Sequence, residues 1–172
     1  NENAELSKAY WDFSLIQNLE TSLSNSPYFL VFLASQVKAN DKGFLSKDIT
    51  VKDMITHRGD IHHIFPRNYL KKNGLKRNEY NQIANYAYMQ TEINIAIGSK
   101  SPAQYFKVMK EQCNGGKLKY GNYTDMKALL DNLKQNSIPE SVFDLEHDGY
   151  EDFLTERRKL MSQKIKDYYF SL

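Results

Sequence analysis

The chain reads Gly59-Asp60-Ile61-His62-His63-Ile64-Phe65-Pro66 within its first half, and this stretch predicts a short β-strand that carries two adjacent histidines. β-Branched and aromatic residues follow Gly59 and stop at Pro66, as is typical of a strand that ends in a turn. Three of the four histidines lie between positions 57 and 63. Because an imidazole can bind a cation or accept a proton near neutral pH, metal binding and proton transfer are both expected here.

The two histidines are expected to have different roles. Successive side chains of a strand point to opposite faces, so His62 and His63 cannot both point at one metal unless the strand ends there. The natural division gives one to the metal and the other to the nucleophile. A second ligand must come from elsewhere, and Asn94, near the start of a predicted helix, is a plausible oxygen donor. Such ligands suit Mg²⁺ or Mn²⁺, with Zn²⁺ or Ni²⁺ as alternatives.

Elsewhere the apolar spacing and the capping residues predict helices. They cover 4–24, 26–39, a segment that Asp48 or Thr50 caps and that ends near Thr56, 67–73, a segment that Thr91 caps, 101–109, a segment from Thr124 to Leu133, and 150–170. The last helix is expected to bury Phe153, Leu154, Leu160, Met161, Ile165 and Tyr168. A second strand is predicted around 85–89, where aromatic residues share one face.

This order of elements predicts an α+β protein that is mostly helical around a small hairpin. It divides into a helical region over 1–56, a core with the histidines over 57–112 and a C-terminal helical extension over 113–172, expected to form a single compact domain. The single Cys113 excludes a disulfide framework, and no apolar run approaches the roughly 20 residues that cross a membrane. The chain opens without a Met or a signal sequence, so a cytoplasmic fragment of a longer protein is expected.

The net charge is only +2, so its distribution says more than its sum. Between 64 and 80 the only acidic residue is Glu79, against five basic residues: Arg67, Lys71, Lys72, Lys76 and Arg77. Residues 140–156 instead include seven acidic residues and no Lys or Arg. Basic side chains, with Lys100 further along, therefore bracket the histidines and would suit a phosphate backbone, although a solvated mixed surface explains them equally well.

The order His62-His63-Ile64-Phe65-Pro66, Asn85, Asn94 resembles the His-Me finger nucleases, also called HNH or ββα-metal nucleases. In that family a strand ends in Asp-His or His-His before Ile-x-Pro. A loop then leads to a second strand with a central Asn, and a helix supplies a further Asn or His ligand. The resemblance implies a small ββα-metal hairpin-and-helix active-site module, here embedded among helices.

By this resemblance His62 would bind the metal and His63 would be the general base. Asn85 would orient the loop that carries His63, and Asn94 would be the second protein ligand. The implied cofactor is one divalent cation, most readily Mg²⁺. The implied activity is phosphodiester hydrolysis by a DNA endonuclease or nickase, with a backbone-binding surface formed by Arg67, Lys71, Lys72, Lys76, Arg77 and Lys100.

A wider run, comprising 60–66, 83–86, 92–98 and 101–105, resembles one subgroup more narrowly, the C-terminal nuclease domain of GmrSD-type restriction and phage-defence proteins. The similarity extends from about Ser26 to Tyr169. A nucleotide-dependent domain precedes the nuclease in that subgroup. The resemblance therefore implies a bacterial cytoplasmic protein with a further N-terminal domain, and DNA, including modified phage DNA, as its partner.

Several assignments stay open. Asp60 shares a strand face with His62, so it could bind the metal, orient an imidazole or be a solvated acid. Arg157-Arg158-Lys159 could touch DNA or form a helix surface patch. The whole chain could instead be a nucleic-acid-binding module without cleavage activity, or an interaction domain held together by a structural metal ion.

Overall fold

The computed structural model describes residues 7–57 and 59–172, which form helices around a two-stranded antiparallel sheet. The predicted α+β, mostly helical class is confirmed. The helices are α1 (Leu15–Asn18), which continues a π-helical segment (Tyr10–Ser14), α2 (Pro27–Lys38), α3 (Val51–Thr56), α4 (Arg67–Lys72), α5 (Arg77–Tyr80), α6 (Thr91–Ile97), α7 (Pro102–Cys113), α8 (Met126–Gln135) and α9 (Tyr150–Ser171). The strands are β1 (Asp60–His63) and β2 (Tyr86–Met89), and 3₁₀ turns cover Ile83–Asn85, Glu140–Asp144 and His147–Gly149.

Capping residues explain where several helices begin. The side chain of Ser26 accepts the amide hydrogen of Tyr28 at the start of α2. Capping boxes at Thr50 and Ser101 start α3 and α7, so that side chain and backbone satisfy each other's orphan groups. The predicted starts at Ser26 and Ser101 are confirmed, and of the two caps predicted for α3, Thr50 is correct and Asp48 is wrong. Among the described helices, none combines the length and the apolar character that a membrane span requires.

The two strands pair with His63 opposite Tyr86, and the connection between them contains α4 and α5. The two ends of this connection are joined just beyond the pair of His63 and Tyr86, because the backbone N–H of Ile64 donates to the carbonyl of Asn85 at 2.8 Å. The connection that contains α4 and α5 therefore begins and ends beside the histidine end of β1.

Buried aromatic side chains fix the backbone that follows the histidines. Phe65 is fully buried, and its ring centroid lies 5.1 Å from that of Tyr150 and 5.0 Å from that of Phe153, both in α9. From α7, the buried Tyr105 donates its hydroxyl to the Ile64 carbonyl at 2.7 Å. Burying such side chains stabilises the fold by about 1.5–3 kcal/mol each. One apolar cluster includes residues from all three segments of the chain.

The prediction of one helix over 4–24 is wrong at its C-terminal end, and 4–6 lie outside the described residues. Helical structure ends at Asn18. The carbonyl of Thr21 instead accepts a hydrogen bond of 2.8 Å from the backbone N–H of Ile83, a partner far away in sequence. This segment therefore exchanges helical bonds for contacts with the entry to β2.

Two predicted N-caps are wrong by one residue. Gln90 rather than Thr91 precedes α6, and Asp125 rather than Thr124 caps α8, where its carboxylate accepts the amide hydrogen of Ala128 at 3.0 Å. Thr91 is the first residue of α6. Its hydroxyl is therefore free to donate elsewhere.

The predicted buried stripe of α9 is confirmed at Phe153, Leu154, Met161 and Ile165. Leu160, by contrast, is 41% exposed, and Tyr168 is only partly buried. The stripe instead includes Arg157, which is 1% exposed. Both interpretations of Arg157-Arg158-Lys159, DNA contact and a helix surface patch, are therefore wrong for Arg157. Arg158 is also buried.

The Arg157 guanidinium is tolerated in the core because backbone carbonyls surround it. Its donors lie 2.9 Å from the oxygen of Ala84, 2.6 Å from that of Tyr86 and 3.1 Å from that of Asn136. Burial without a carboxylate partner lowers the pKa of Arg157 to about 9. Two of these carbonyls flank Asn85, so α9 fixes the segment that carries this predicted site residue.

Candidate active site at the end of strand β1

The side chains of His62, His63 and Asn94 line one cavity of about 400 Å³. Strand β1 ends at His63, which releases the two histidines from the strict alternation of a strand. The remaining walls come from β1, the start of α4 and the end of α6, and they are Ile61, Pro66, Arg67, Asn68, Ile95, Gly98 and Ser99. The structure thus brings together the residues assigned to the base and to both metal ligands.

The imidazole of His63 is oriented by Asn81, whose Oδ1 lies 2.8 Å from Nε2 of the histidine. An amide oxygen only accepts hydrogen bonds, so this contact assigns the imidazole proton to Nε2 and leaves Nδ1 as the basic nitrogen. The rings of Tyr80 and Tyr86 pack edge-on against the imidazole, with centroid distances of 6.3 and 5.3 Å. Three neighbours therefore restrict the ring.

Burial is the main cause that lowers the pKa of His63. The hydrogen bond with Asn81 opposes this shift, whereas the positive charge of Arg67 and the neighbouring His62 lower the pKa further. The imidazole is therefore neutral at pH 7. This is the form that can accept a proton as a general base.

His62 carries an unpaired nitrogen. Its Nε2 is buried and has no hydrogen-bond partner within the described part of the chain. Burial lowers the pKa of His62, and the charge of Asp60 opposes that shift. Buried polar atoms are normally paired, so an orphaned nitrogen on a neutral imidazole fits the donor expected of a metal ligand.

Asn85 is fully buried and acts on the backbone after His63 rather than in the cavity. Its Oδ1 accepts the backbone N–H of Phe65 at 2.8 Å, and its Nδ2 donates to the carbonyls of Phe65 at 3.1 Å and of Tyr80 at 3.2 Å. These bonds tie the turn after β1 to the end of α5. The orienting role inferred for Asn85 has this geometry as its physical basis.

Asp60 does not line the cavity. It is exposed, and its carboxylate accepts the hydroxyl of Thr91 at 3.2 Å. Its charge acts on the site through the pKa of His62. Metal binding by Asp60 stays a prediction, and the lining of the cavity does not support it.

The basic residues predicted to contact nucleic acid lie in different environments. Arg67 lines the histidine cavity, and together with Lys71 and Arg77 it lines a neighbouring one. Lys72 and Lys76 are exposed and line neither of these two cavities. The ammonium group of Lys100 lies 3.4 and 3.5 Å from carbonyls in the last turn of α6, where a cation is favoured.

Two residues that shape the site were missed from the sequence. Asn81 gave no signal, because it stands alone in a polar stretch and meets His63 only through the fold. Arg157 did give one, since it lies midway between Phe153 and Met161 on the apolar face of a predicted helix. A cation in that place indicates a buried structural role.

Within residues 7–57 and 59–172, no group of three or more His, Cys, Asp or Glu side chains is placed to hold a metal ion. A structural zinc site is closed by about four such ligands. A catalytic Mg²⁺ or Mn²⁺ keeps several waters and uses one or two protein ligands. Two candidate ligands, His62 and Asn94, match the number that the second kind of site uses.

No model of a known protein family matches the chain, and no solved structure matches it. The chain is similar to an uncharacterized protein of Methanocaldococcus jannaschii, with 27% identity over 172 residues. The match covers 88% of this chain and 29% of that protein. The chain thus spans less than a third of the length of the relative.

Proposed function

We propose that this chain is the nuclease module of a GmrSD-type defence protein, and that it hydrolyses phosphodiester bonds in DNA by His-Me finger chemistry. The observation that carries the proposal is the single cavity shared by His62, His63 and Asn94. In the whole protein a nucleotide-dependent domain would accompany this module, and modified phage DNA in a bacterial cytoplasm would be the target.

His63 is the general base. Its Nδ1 accepts a proton from a water molecule while the water oxygen attacks the phosphorus. The bond from phosphorus to the 3′ oxygen breaks, and solvent protonates the leaving oxygen, which gives a 5′-phosphate and a 3′-hydroxyl. Asn81 keeps the other imidazole proton on Nε2, so Nδ1 stays available. General-base catalysis of this kind contributes about 10²–10⁴-fold.

The residues that would hold a divalent cation are His62, through its unpaired Nε2, and Asn94, through its side-chain oxygen. Mg²⁺ is the first choice, with Mn²⁺, Zn²⁺ or Ni²⁺ as alternatives. When bound, such a cation supplies Lewis-acid stabilisation of the charge that develops on the phosphate and the leaving oxygen. Arg67 adds a positive charge to the lining of the same cavity.

Supercoiled plasmid DNA incubated with the purified protein, with and without Mg²⁺ or Mn²⁺, tests the proposal. Metal-dependent nicking or linearisation that EDTA stops is the expected result. Salt-sensitive DNA binding without cleavage, in this chain and in the longer protein, would instead identify a binding module. Unfolding by a chelator would identify a structural metal, because the metal then contributes to the folding free energy.

A further inference from the structure

A second cavity, of about 450 Å³, adjoins the histidine cavity at α4. Its lining residues are Arg67, Asn68, Lys71, Arg77, Tyr80 and Asn81. The first two of these also line the histidine cavity, so the cavities share a wall. Asn81 connects them as well, because it lines the second cavity and holds the imidazole of the first. The two cavities are therefore adjacent, and Asn81 links the second one to His63.

The second cavity is positively charged and unneutralised. Three of its six lining residues are cations and none is acidic. In the part of the chain that the structure describes, the side chains of Arg67, Lys71 and Arg77 make no ion pair and no hydrogen bond. The nearby carboxylate of Glu79 is already engaged, since it accepts the backbone N–H of Lys76 at 2.6 Å.

Such a cavity favours a ligand with several strong acceptor oxygens and negative charge. Arginine and lysine donors in a concave site make charge-assisted hydrogen bonds to phosphate, and these are stronger than bonds between neutral groups. The uncharged donors of Asn68 and Asn81 add to this set. Because the second cavity adjoins His63 through Asn81, a ligand bound there would lie close to a phosphate bound at the histidines.

We propose that the second cavity binds a phosphate of the same DNA strand next to the phosphate that is hydrolysed. The inference rests on the proposed function, since it takes the histidine cavity as the place of the scissile phosphate. The substrate is then a polynucleotide strand that crosses both cavities, with Arg67 between the two phosphates, and not an isolated phosphodiester. Lys71 and Arg77 contact this strand, whereas Lys72 and Lys76 add only to the general positive field.

The test compares the double variant Lys71→Ala/Arg77→Ala with Lys72→Ala/Lys76→Ala, which removes the same charge. All four side chains are exposed, so both proteins are expected to fold. Binding of a short fluorescein-labelled DNA duplex is measured by fluorescence anisotropy at increasing salt. The cavity variant should bind at least about tenfold more weakly and should lose about 1 from the slope of log K against log salt, because one phosphate is no longer neutralised. In the control variant the slope should fall by less than half as much as in the cavity variant.

A second arm uses bis(p-nitrophenyl) phosphate, a diester with one phosphorus that cannot occupy both cavities. The loss of kcat/KM in the cavity variant should be much smaller for this diester than for the duplex, for which kcat/KM falls by about tenfold or more. Equal loss of duplex binding in the control variant, or equal loss on the small diester, overturns the proposal. A preserved contrast in binding with no hydrolysis by any of the proteins supports the phosphate site and contradicts the proposed hydrolysis alone.

Discussion

Asn85 holds the backbone of Phe65 from both sides, because its carboxamide accepts the Phe65 N–H at 2.8 Å and donates to the Phe65 carbonyl at 3.1 Å. Phe65 lies two residues after His63, and its ring is packed between α9 and the turn. These two hydrogen bonds therefore connect the start of β2 to the backbone that follows His63. A residue outside the cavity thus holds the backbone that follows His63.

Replacing Asn85 with alanine should destabilise the protein by roughly 2–4 kcal/mol, because it leaves a buried N–H and carbonyl of Phe65 unpaired. Urea unfolding followed by circular dichroism measures the change. Asn78→Ala, an exposed asparagine in α5, is the matched control and should change the unfolding free energy by less than about 0.5 kcal/mol. Equal free energies of unfolding for the two variants would show that the hydrogen bonds between Asn85 and Phe65 do not stabilise the protein.

The hydrogen bond between Asn81 and His63 predicts a single imidazole tautomer. At about pH 8 the nitrogen-15 shifts of His63 should show the proton on Nε2 and none on Nδ1. Asn81→Leu removes the acceptor and should give a mixture of tautomers, while Asn81→Asp keeps an acceptor oxygen and should retain the parent form. A parent protein with the proton on Nδ1 would contradict the assigned base.

How far the site was visible in the sequence depended on whether its contacts are local. His62, His63 and Asn94 were predicted from a strand end and a helix start, which depend on nearby residues, and the structure places all three around one cavity. Asn81 was missed because only the folding back of α5 brings it to His63. The charge pattern likewise treated Lys71 and Lys72 alike, although only Lys71 lines the second cavity.

Several helix boundaries that depend on nearby residues were also predicted correctly, and one that depends on a distant contact was not. Capping at Ser26, Thr50 and Ser101 depends on residues within a few positions, and those helix starts were correct. The end of α1 was not, since the Thr21 carbonyl is paired by Ile83 from another part of the chain. Arg157 was interpreted as a surface residue because it is charged, and the carbonyls that surround it come from distant parts of the chain.

Alkaline pH should destabilise the protein through Tyr123, whose hydroxyl donates to the Ser46 carbonyl at 2.8 Å. Burial raises the pKa of Tyr123 from 10.0 to about 12. The folded state therefore keeps this proton when the unfolded state has lost it, so the contribution is present below pH 10 and is lost as the pH rises towards 12. Thermal unfolding between pH 8 and 12 measures it.

In the Tyr123→Phe variant the fall of the unfolding temperature across that range should be smaller than in the parent. Tyr168→Phe, which removes a partly exposed phenol, serves as the control and should follow the parent curve. If Tyr123→Phe and the parent lose stability in parallel, this phenol is not the group responsible.

The most direct measurement is the rate of metal-dependent plasmid cleavage by His63→Ala beside His57→Ala. His57 is exposed at the end of α3 and lies outside the cavity, so its variant removes a histidine without touching the site. The account predicts that His63→Ala loses at least about 10²-fold in rate with an unchanged circular dichroism spectrum, while His57→Ala cuts as the parent does. Cleavage by His63→Ala at the parental rate, with the same metal dependence, would contradict it.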